Sequence, residues 1–200
     1  MKIRLIFMAS GFGRRFGANK LAAPVAGRPL YAYGLKSLCQ GAQAFFPLSG
    51  IDCAVTVVTA HDEIAAACRQ RHIDVVWNEQ ALEGMAASIR PVSVLIRRVM
   101  HGAFFRRISL LTGPTISRFL QQFIASGGDV GCMHNGQRRC SPALFRSSCR
   151  DELLGLFGDQ GGRRLIQSPH TWVYYPVNPV ELFDVDRRED AAAVLPFLSL

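Results

Sequence analysis

The sequence predicts a single α/β domain in which helices cover both faces of a mainly parallel sheet. A chain of 200 residues with 49% apolar and 19% charged residues has the size and composition of one folded domain with its own core. Segments with strand and helix character alternate along the chain, which is typical of βα units. Residues 3–9 are apolar except for Arg4, as expected of a strand buried on both faces.

The individual elements follow from local patterns. Arg28–Gln40 follows a proline and is predicted to be a helix, Cys53–Thr59 is rich in Val and Thr, and Pro114 stands at the first turn of a predicted helix that begins at Thr112. The predicted strands are Ile3–Ala9, Cys53–Thr59, Ile73–Trp77 and Thr171–Val177; the predicted helices are Arg28–Gln40, His61–Arg71, Thr112–Ala125, Asp151–Phe157, Gln160–Gln167 and a last one from about Arg187. Parallel sheets bind ligands at the carboxyl ends of their strands, so the loop after the first strand is the first candidate site.

Composition excludes several classes of function. No apolar run is long enough to span a membrane, and the short apolar start leads directly into a glycine loop, which indicates a strand and not a signal peptide. The six cysteines include no C-x-x-C pair, so we expect incidental thiols in a reducing cytoplasm and no zinc or redox site. The net charge is +8, but residues 91–109 alone contribute four arginines and no acidic residue. Aromatic residues do not alternate with the arginines, as they would on a surface that stacks nucleic-acid bases. We therefore expect phosphorylated small molecules as partners, and we expect neither nucleic acid nor a membrane.

The loop after the first strand, residues 9–21, reads ASGFGRRFGANKL and is called the glycine loop below. Its glycines allow backbone N–H groups to approach a phosphate, and its arginines and Lys20 can neutralise the phosphate charge. It is not a P-loop, because Lys20 is followed by Leu21 and not by Ser or Thr. The alternative is a glycine-rich surface turn with solvated arginines.

A wider pattern includes this loop. Together with GRPL at 27–30, it resembles the nucleotide-binding signature of the molybdenum cofactor nucleotidyltransferases, the MobA-like NTP transferase family. Further segments resemble that family in the same order: EGMAASIR at 83–90, SPALF at 141–145, GDQGGR at 158–163 and DVDRRED at 184–190. The resemblance covers nearly the whole chain, and the motifs are specific as a set.

The resemblance implies a Rossmann-like fold of the nucleotide-diphospho-sugar transferase type, and a Mg²⁺-dependent cytoplasmic enzyme that condenses CTP or GTP with molybdopterin and releases pyrophosphate. Implied nucleotide contacts are Ala9, Ser10, Gly11, Phe12, Gly13, Lys20 and Ser88. Arg15 and Lys20 would be the catalytic cations, Asp159 and Arg163 would face the acceptor, and Asp184 or Asp186 would bind the metal. The alternatives are that Asp159 caps a helix and that one of the two later aspartates is structural. Implied partners are small-molecule substrates and a molybdoenzyme or its maturation chaperone.

The resemblance also bears on the nucleotide. Guanylyl members tend to read A-G-G in the first loop and to place Asp before the lysine. This chain has Ala9-Ser10-Gly11 and Asn19 before Lys20, so it resembles the cytidylyl type and CTP is the expected substrate.

One segment departs from the family. The family has an Asp-(Q/M)-P segment whose Asp binds the catalytic metal, but the matching positions here are Arg107-Ile108-Ser109. Suppose that Arg107–Leu110 is encoded CGG-ATC-AGC-CTG. Translation that starts at the last base of the Arg codon then reads GAT-CAG-CCT, which encodes Asp-Gln-Pro. One hypothesis is therefore that residues 91–109 are translated in a shifted reading frame between two compensating indels. The alternative is a native segment without the carboxylate. Three functions therefore stay open: a cytidylyltransferase for the molybdenum cofactor, another transferase using GTP or a sugar phosphate, and a nucleotide-binding regulator or chaperone.

Overall fold

The computed structural model describes residues 2–13, 19–96, 101–105, 110–158, 162–183, 185 and 188–197. Its strands are β1 Lys2–Ala9, β2 Pro24–Val25, β3 Arg28–Pro29, β4 Asp52–Thr59, β5 Asp74–Trp77, β6 His101–Phe105, β7 Val130–His134, β8 Arg139–Arg146 and β9 Trp172–Tyr174. Its helices are α1 Leu30–Ser49, α2 Asp62–Arg69, α3 Met85–Ile96, α4 Gly113–Ser126, α5 Arg150–Leu154, α6 Arg163–Ile166 and α7 Arg188–Val194. Within the described residues, no helix has both the length and the apolarity that a membrane span requires.

Seven of the strands form one sheet in the order β5-β4-β1-β6-β8-β7-β9, and β2 pairs with β3 in a separate antiparallel ribbon. The pairs β5–β4, β4–β1, β1–β6 and β7–β9 are parallel, while β8 runs antiparallel to both of its neighbours. The predicted α/β class with a mainly parallel sheet is therefore confirmed.

Two separate cores lie on the two faces of the sheet. Alternate side chains of β1 point to opposite faces, so Leu5 and Phe7 pack in the core that contains α1, α2 and α4, whereas Ile6 packs in the core that contains α3 and α5. These three side chains are at most 1% exposed. Because both faces are covered, β1 is apolar at every position from Leu5 to Ala9.

Helices α1 and α4 approach closely at two glycines. A Cβ atom on Gly41 would lie 2.6 Å from Cγ2 of Ile116, and one on Gly113 would lie 2.8 Å from Cβ of Gln40. Any larger residue at either position would push the helices apart. This contact carries α4 onto the same face of the sheet as α1.

The structure differs from the sequence-based expectations in several elements. Helix α1 continues to Ser49 and not Gln40, β9 ends at Tyr174, and α3 and the β7–β8 hairpin were not predicted. Strand β6, which lies within residues 91–109, forms at the centre of the sheet between β1 and β8.

Candidate active site

The carboxyl ends of the parallel strands bring distant segments of the chain to one edge of the sheet. Ala9 at the end of β1 pairs with Thr59 at the end of β4, and Thr59 pairs with Trp77 at the end of β5. On the other side, Phe7 of β1 pairs with Phe105 at the end of β6. The segments that follow these strands therefore meet at this edge, and the glycine loop stands between them.

The first residues of the glycine loop are fixed to β4. The hydroxyl of Ser10, which is buried, donates to the carbonyl of Val58 at 3.2 Å, and the hydroxyl of Thr59 donates to the carbonyl of Ala9 at 2.9 Å. These two bonds determine the direction in which the backbone leaves the sheet.

The glycines that follow have different reasons to be glycine. Gly13 has φ +62°, a left-handed conformation that favours glycine. Gly11 does not have a left-handed φ, and a Cβ atom there would meet none of the described residues within 4 Å. Neither the backbone conformation nor packing against the described residues requires glycine at position 11. A glycine there leaves room for a ligand to approach the backbone.

Lys20 connects the glycine loop with the C-terminal part of the chain. It begins a short 3-10 turn, Lys20–Ala22, which Asn19 caps by accepting the N–H of Leu21 at 3.1 Å. The ammonium group of Lys20 donates to the backbone carbonyl of Val185, which is buried. This contact places Val185 beside the predicted phosphate-binding lysine.

A second predicted residue, Ser88, lies on α3 and contacts a residue that the sequence did not identify, Asn78. The amide nitrogen of Asn78 donates to the hydroxyl of Ser88 at 2.9 Å, and its backbone N–H donates to the carbonyl of Thr59 at 2.9 Å. Asn78 is only 2% exposed, and its Oδ1 atom has no hydrogen-bond partner in the described part of the chain. Buried amide oxygens without a partner are rare. Its position directly after β5 is the one signal in the sequence that could have identified it.

The C-terminal segment is attached to the sheet edge a second time at the start of α4. The carboxylate of Glu181 accepts the backbone N–H of Thr112 at 3.0 Å, the hydroxyl of Thr112 at 3.3 Å and the hydroxyl of Thr115 at 3.0 Å. A carboxylate at a helix N-terminus is favoured by the helix dipole. Glu181 and Val185 together hold this segment against the side of the sheet that carries the glycine loop.

The structure thus brings Ala9–Gly13, Lys20 and Ser88 to one edge of the sheet. Arg163 lies exposed at the start of α6. Arg15, Asp159, Asp184 and Asp186 lie outside the described residues, so their roles stay predictions. Among the residues that are described, no group of three or more His, Cys, Asp or Glu could hold a metal ion.

Three of the cysteines are poor candidates for a nucleophile. All six lie among the described residues, and none of them forms a disulfide bond. Burial raises the pKa of Cys53 to about 12 and that of Cys68 and Cys132 to about 11, so these thiols stay protonated at neutral pH.

The fold resembles that of solved nucleotidyltransferases. Rv0371c from Mycobacterium tuberculosis is 21% identical over 97% of both chains with a TM-score of 0.74. A nucleotidyl transferase from Methanothermobacter is 18% identical over 98% of this chain and 97% of its own, also with a TM-score of 0.74. The molybdopterin-guanine dinucleotide biosynthesis protein A of Archaeoglobus fulgidus is 15% identical, with 98% and 97% covered and a TM-score of 0.68. At these identities the likeness establishes the fold.

The family is established by the sequence match. Residues 5–99 and 108–172 match the family model of the MobA-like NTP transferase domain, and the chain belongs to this family of nucleotidyltransferases. The match is interrupted between residues 99 and 108, inside the segment in which the sequence departs from the family pattern. No curated protein sequence matches the chain at a significant level.

Proposed function

We propose that this chain is a cytidylyltransferase that joins CTP to a molybdopterin-type acceptor. A phosphate oxygen of the acceptor attacks the α-phosphorus of CTP, the bond from that phosphorus to the bridging oxygen breaks, and pyrophosphate leaves. The observation that carries the proposal is the convergence of the glycine loop, Lys20 and Asn78 at one edge of the sheet in a chain of this family.

The glycine loop supplies the phosphate contacts. The open space at Gly11 and the left-handed turn at Gly13 expose backbone N–H groups, which bind anions well when they converge. Lys20, held at the loop by the carbonyl of Val185, brings a positive charge to the loop that favours a triphosphate. Arg15, five residues before Lys20, is proposed as the second cation.

Asn78 and Ser88 are proposed to bind the nucleoside. The unpartnered Oδ1 of Asn78 needs an N–H donor, and the amino group of cytosine is such a donor. Guanine also carries N–H groups, so this feature does not distinguish CTP from GTP. The preference for CTP is supported by Ser10 in the glycine loop and by Asn19 before Lys20, where guanylyl members tend to have Gly and Asp.

Asp184 or Asp186 is proposed as a ligand of Mg²⁺, together with the phosphates of the substrate. Carboxylate oxygens are ligands that Mg²⁺ prefers, and the two residues stand on either side of Val185, whose carbonyl contacts Lys20. A structure of Rv0371c in complex with manganese, 18% identical with a TM-score of 0.66, is consistent with a divalent metal in this fold. When bound, the metal supplies positive charge that offsets the repulsion between the nucleophilic phosphate and the α-phosphate.

The acceptor is proposed to bind at residues 158–163, through Asp159 and Arg163. The carbonyl of Gly158 accepts the backbone N–H of Ala86 at 3.0 Å, which brings the start of this segment to the first turn of α3, the helix that carries Ser88. Arg163 is exposed and available to an anionic acceptor. The product would pass to a molybdoenzyme or its maturation chaperone.

The experiment compares this chain with one in which residues 91–109 are replaced by the product of the alternative frame, which contains Asp-Gln-Pro. Strand β6 ends beside β1, so a carboxylate shortly after Phe105 would stand at the edge of the sheet that carries the glycine loop. We expect this chain to bind CTP but to release pyrophosphate very slowly, and the replaced chain to release it at a rate that depends on Mg²⁺ and molybdopterin. The gene sequence across residues 88–112 should show the two compensating indels.

Full activity of this chain would refute both the shifted frame and the role of the missing Asp. The absence of activity from both proteins on any acceptor, with nucleotide binding intact in both, would favour the second candidate, a nucleotide-binding regulator or chaperone. That candidate is supported by Arg107 at the position of the family's metal-binding Asp.

A further inference from the structure

The two described ends of the glycine loop meet at a single side chain, His61. This residue follows β4 and its side chain is largely buried, with 8% of the residue exposed. Its Nε2 atom lies 3.2 Å from the carbonyl oxygen of Gly11, at the start of the loop. Its Nδ1 atom lies 3.3 Å from the amide nitrogen of Asn19, which directly precedes Lys20. One imidazole ring therefore spans the loop.

The direction of these hydrogen bonds follows from the contacts of Asn19. Its Oδ1 atom accepts the backbone N–H of Leu21, so the atom that faces His61 is the amide nitrogen, which can only donate. That nitrogen also donates to the carboxylate of Glu63 at 2.9 Å. His61 Nδ1 is consequently the acceptor, and Nε2 carries the proton that is donated to Gly11. The neutral Nε2–H tautomer satisfies both ends of the loop at once.

The imidazole is itself held against the sheet. The backbone N–H of His61 donates to the hydroxyl of Thr59 at 3.1 Å, and that hydroxyl donates to the carbonyl of Ala9. The ring of Phe12 contacts the imidazole edge-on, with centroids 5.3 Å apart. Through its backbone and Thr59, His61 is thus linked to Ala9, the last residue of β1, from which the glycine loop starts.

We propose that His61 is a positioning residue that sets the distance between the two ends of the glycine loop and thereby the affinity of the loop for a nucleoside triphosphate. This inference rests on the proposed function, because it assigns the loop a nucleotide ligand. The loop residues that His61 joins are not core residues, since Gly11 is exposed and Asn19 is half-buried. The contacts therefore order a binding loop more than they stabilise the domain.

The test uses His61→Ala, His61→Gln, Asn19→Ser and the double variant His61→Ala/Asn19→Ser in the full chain. Ser at position 19 can still cap the 3-10 turn but has no N–H for His61. Gln at position 61 can still donate an N–H to Gly11. His170→Ala, which removes an exposed histidine from another part of the chain, is the matched control.

Calorimetry with CTP should show about tenfold weaker binding for His61→Ala, the scale of one or two lost net hydrogen bonds, and partial recovery for His61→Gln. The double variant should bind no more weakly than the worse single variant, because each change breaks the same connection. Urea denaturation should leave all variants close to the unchanged protein. The proposal would be overturned if the affinity for CTP in the double variant fell by the product of the losses in the two single variants. It would also be overturned if affinity fell only in variants whose free energy of unfolding had fallen.

Hydrogen exchange without nucleotide separates this inference from the proposed function. The amides of Gly11 to Gly13 should exchange roughly ten times faster in His61→Ala than in the unchanged protein or in His170→Ala. If the unchanged protein binds no nucleoside triphosphate, the proposed function fails, while exchange still reports whether His61 orders the loop. If exchange and CTP affinity are both unchanged in His61→Ala, the role of His61 is wrong.

Discussion

We predict that the protein loses stability in mild acid because of a buried histidine, His101, on the central strand β6. His101 on β6 is 1% exposed, and neither of its ring nitrogens has a hydrogen-bond partner among the described residues. Its ring meets that of Phe123 edge-on at 5.5 Å between centroids. The pKa of His101 is lowered from 6.5 to about 4, chiefly by burial and also by the charge of Arg146, while the charge of Asp129 acts in the opposite direction.

The sign and the size of the effect follow from these pKa values. The folded protein keeps His101 neutral, while the unfolded chain takes up a proton as the pH falls through 6.5. The free energy of unfolding therefore falls as the pH drops from 6.5 and stops falling on this account below about pH 4. At about 1.4 kcal/mol for each pH unit, the full loss is about 3 kcal/mol.

The contribution of His101 to the pH dependence of stability can be measured by urea denaturation. The unchanged protein and His101→Leu are compared between about pH 7.5 and about pH 4.5. Leucine fills a similar volume without unpaired nitrogens, so the variant should be more stable by about 1 to 2 kcal/mol at neutral pH. The difference between the two proteins should then grow by up to about 3 kcal/mol toward acid, since all other titrating groups are shared. His170→Ala is the control for losing an exposed histidine. A difference that stays constant with pH would refute the reasoning.

Three further predictions concern the proposed site. Lys20→Ala should weaken CTP binding by roughly 2 kcal/mol, the scale of a charge-assisted hydrogen bond, as measured by calorimetry against the exposed Lys36→Ala; unchanged affinity would contradict the role of Lys20. CTP should bind more tightly than GTP at the same Mg²⁺ concentration, and equal or tighter binding of GTP in the same titration would count against the assigned substrate. Glu181→Gln should lower the free energy of unfolding by about 1 kcal/mol, because three hydrogen bonds at the start of α4 lose their charged acceptor. Urea denaturation tests this against Glu189→Gln on the surface, and equal stabilities would show that the Glu181 contacts contribute nothing.

Elements with a strong local pattern were predicted well. β1 is apolar at every position from Leu5 to Ala9, β4 is rich in Val and Thr, and α4 has a threonine cap followed by Pro114 within its first turn, so neighbouring residues suffice to indicate each of them. The predicted helix at residues 160–167 was too long, since α6 spans only Arg163–Ile166.

The hairpin of β7 and β8 shows why other elements were missed. Pro142 argues against a strand, since proline cannot donate to a ladder. In the structure Cys140 pairs with Met133 and Ala143 with Cys132, so Ser141 and Pro142 fall in a bulge between the two pairs. The proline is tolerated because it lies where the ladder is interrupted. A pattern of neighbouring residues cannot show that interruption, which depends on the partner strand.

Features of the site also differ in whether they could be predicted. The glycine loop, its position after a buried strand and the family motifs could be predicted from the sequence, because each depends on residues close together in the chain. The contacts of Lys20 with Val185, of Asn78 with Ser88 and of His61 with Gly11 and Asn19 appear only in the folded structure. Lys20 and Val185 stand 165 residues apart, and Gly11 and His61 stand 50 apart. Such contacts arise from the order in which the strands lie in the sheet, which places their carboxyl ends side by side, and no local periodicity records that order.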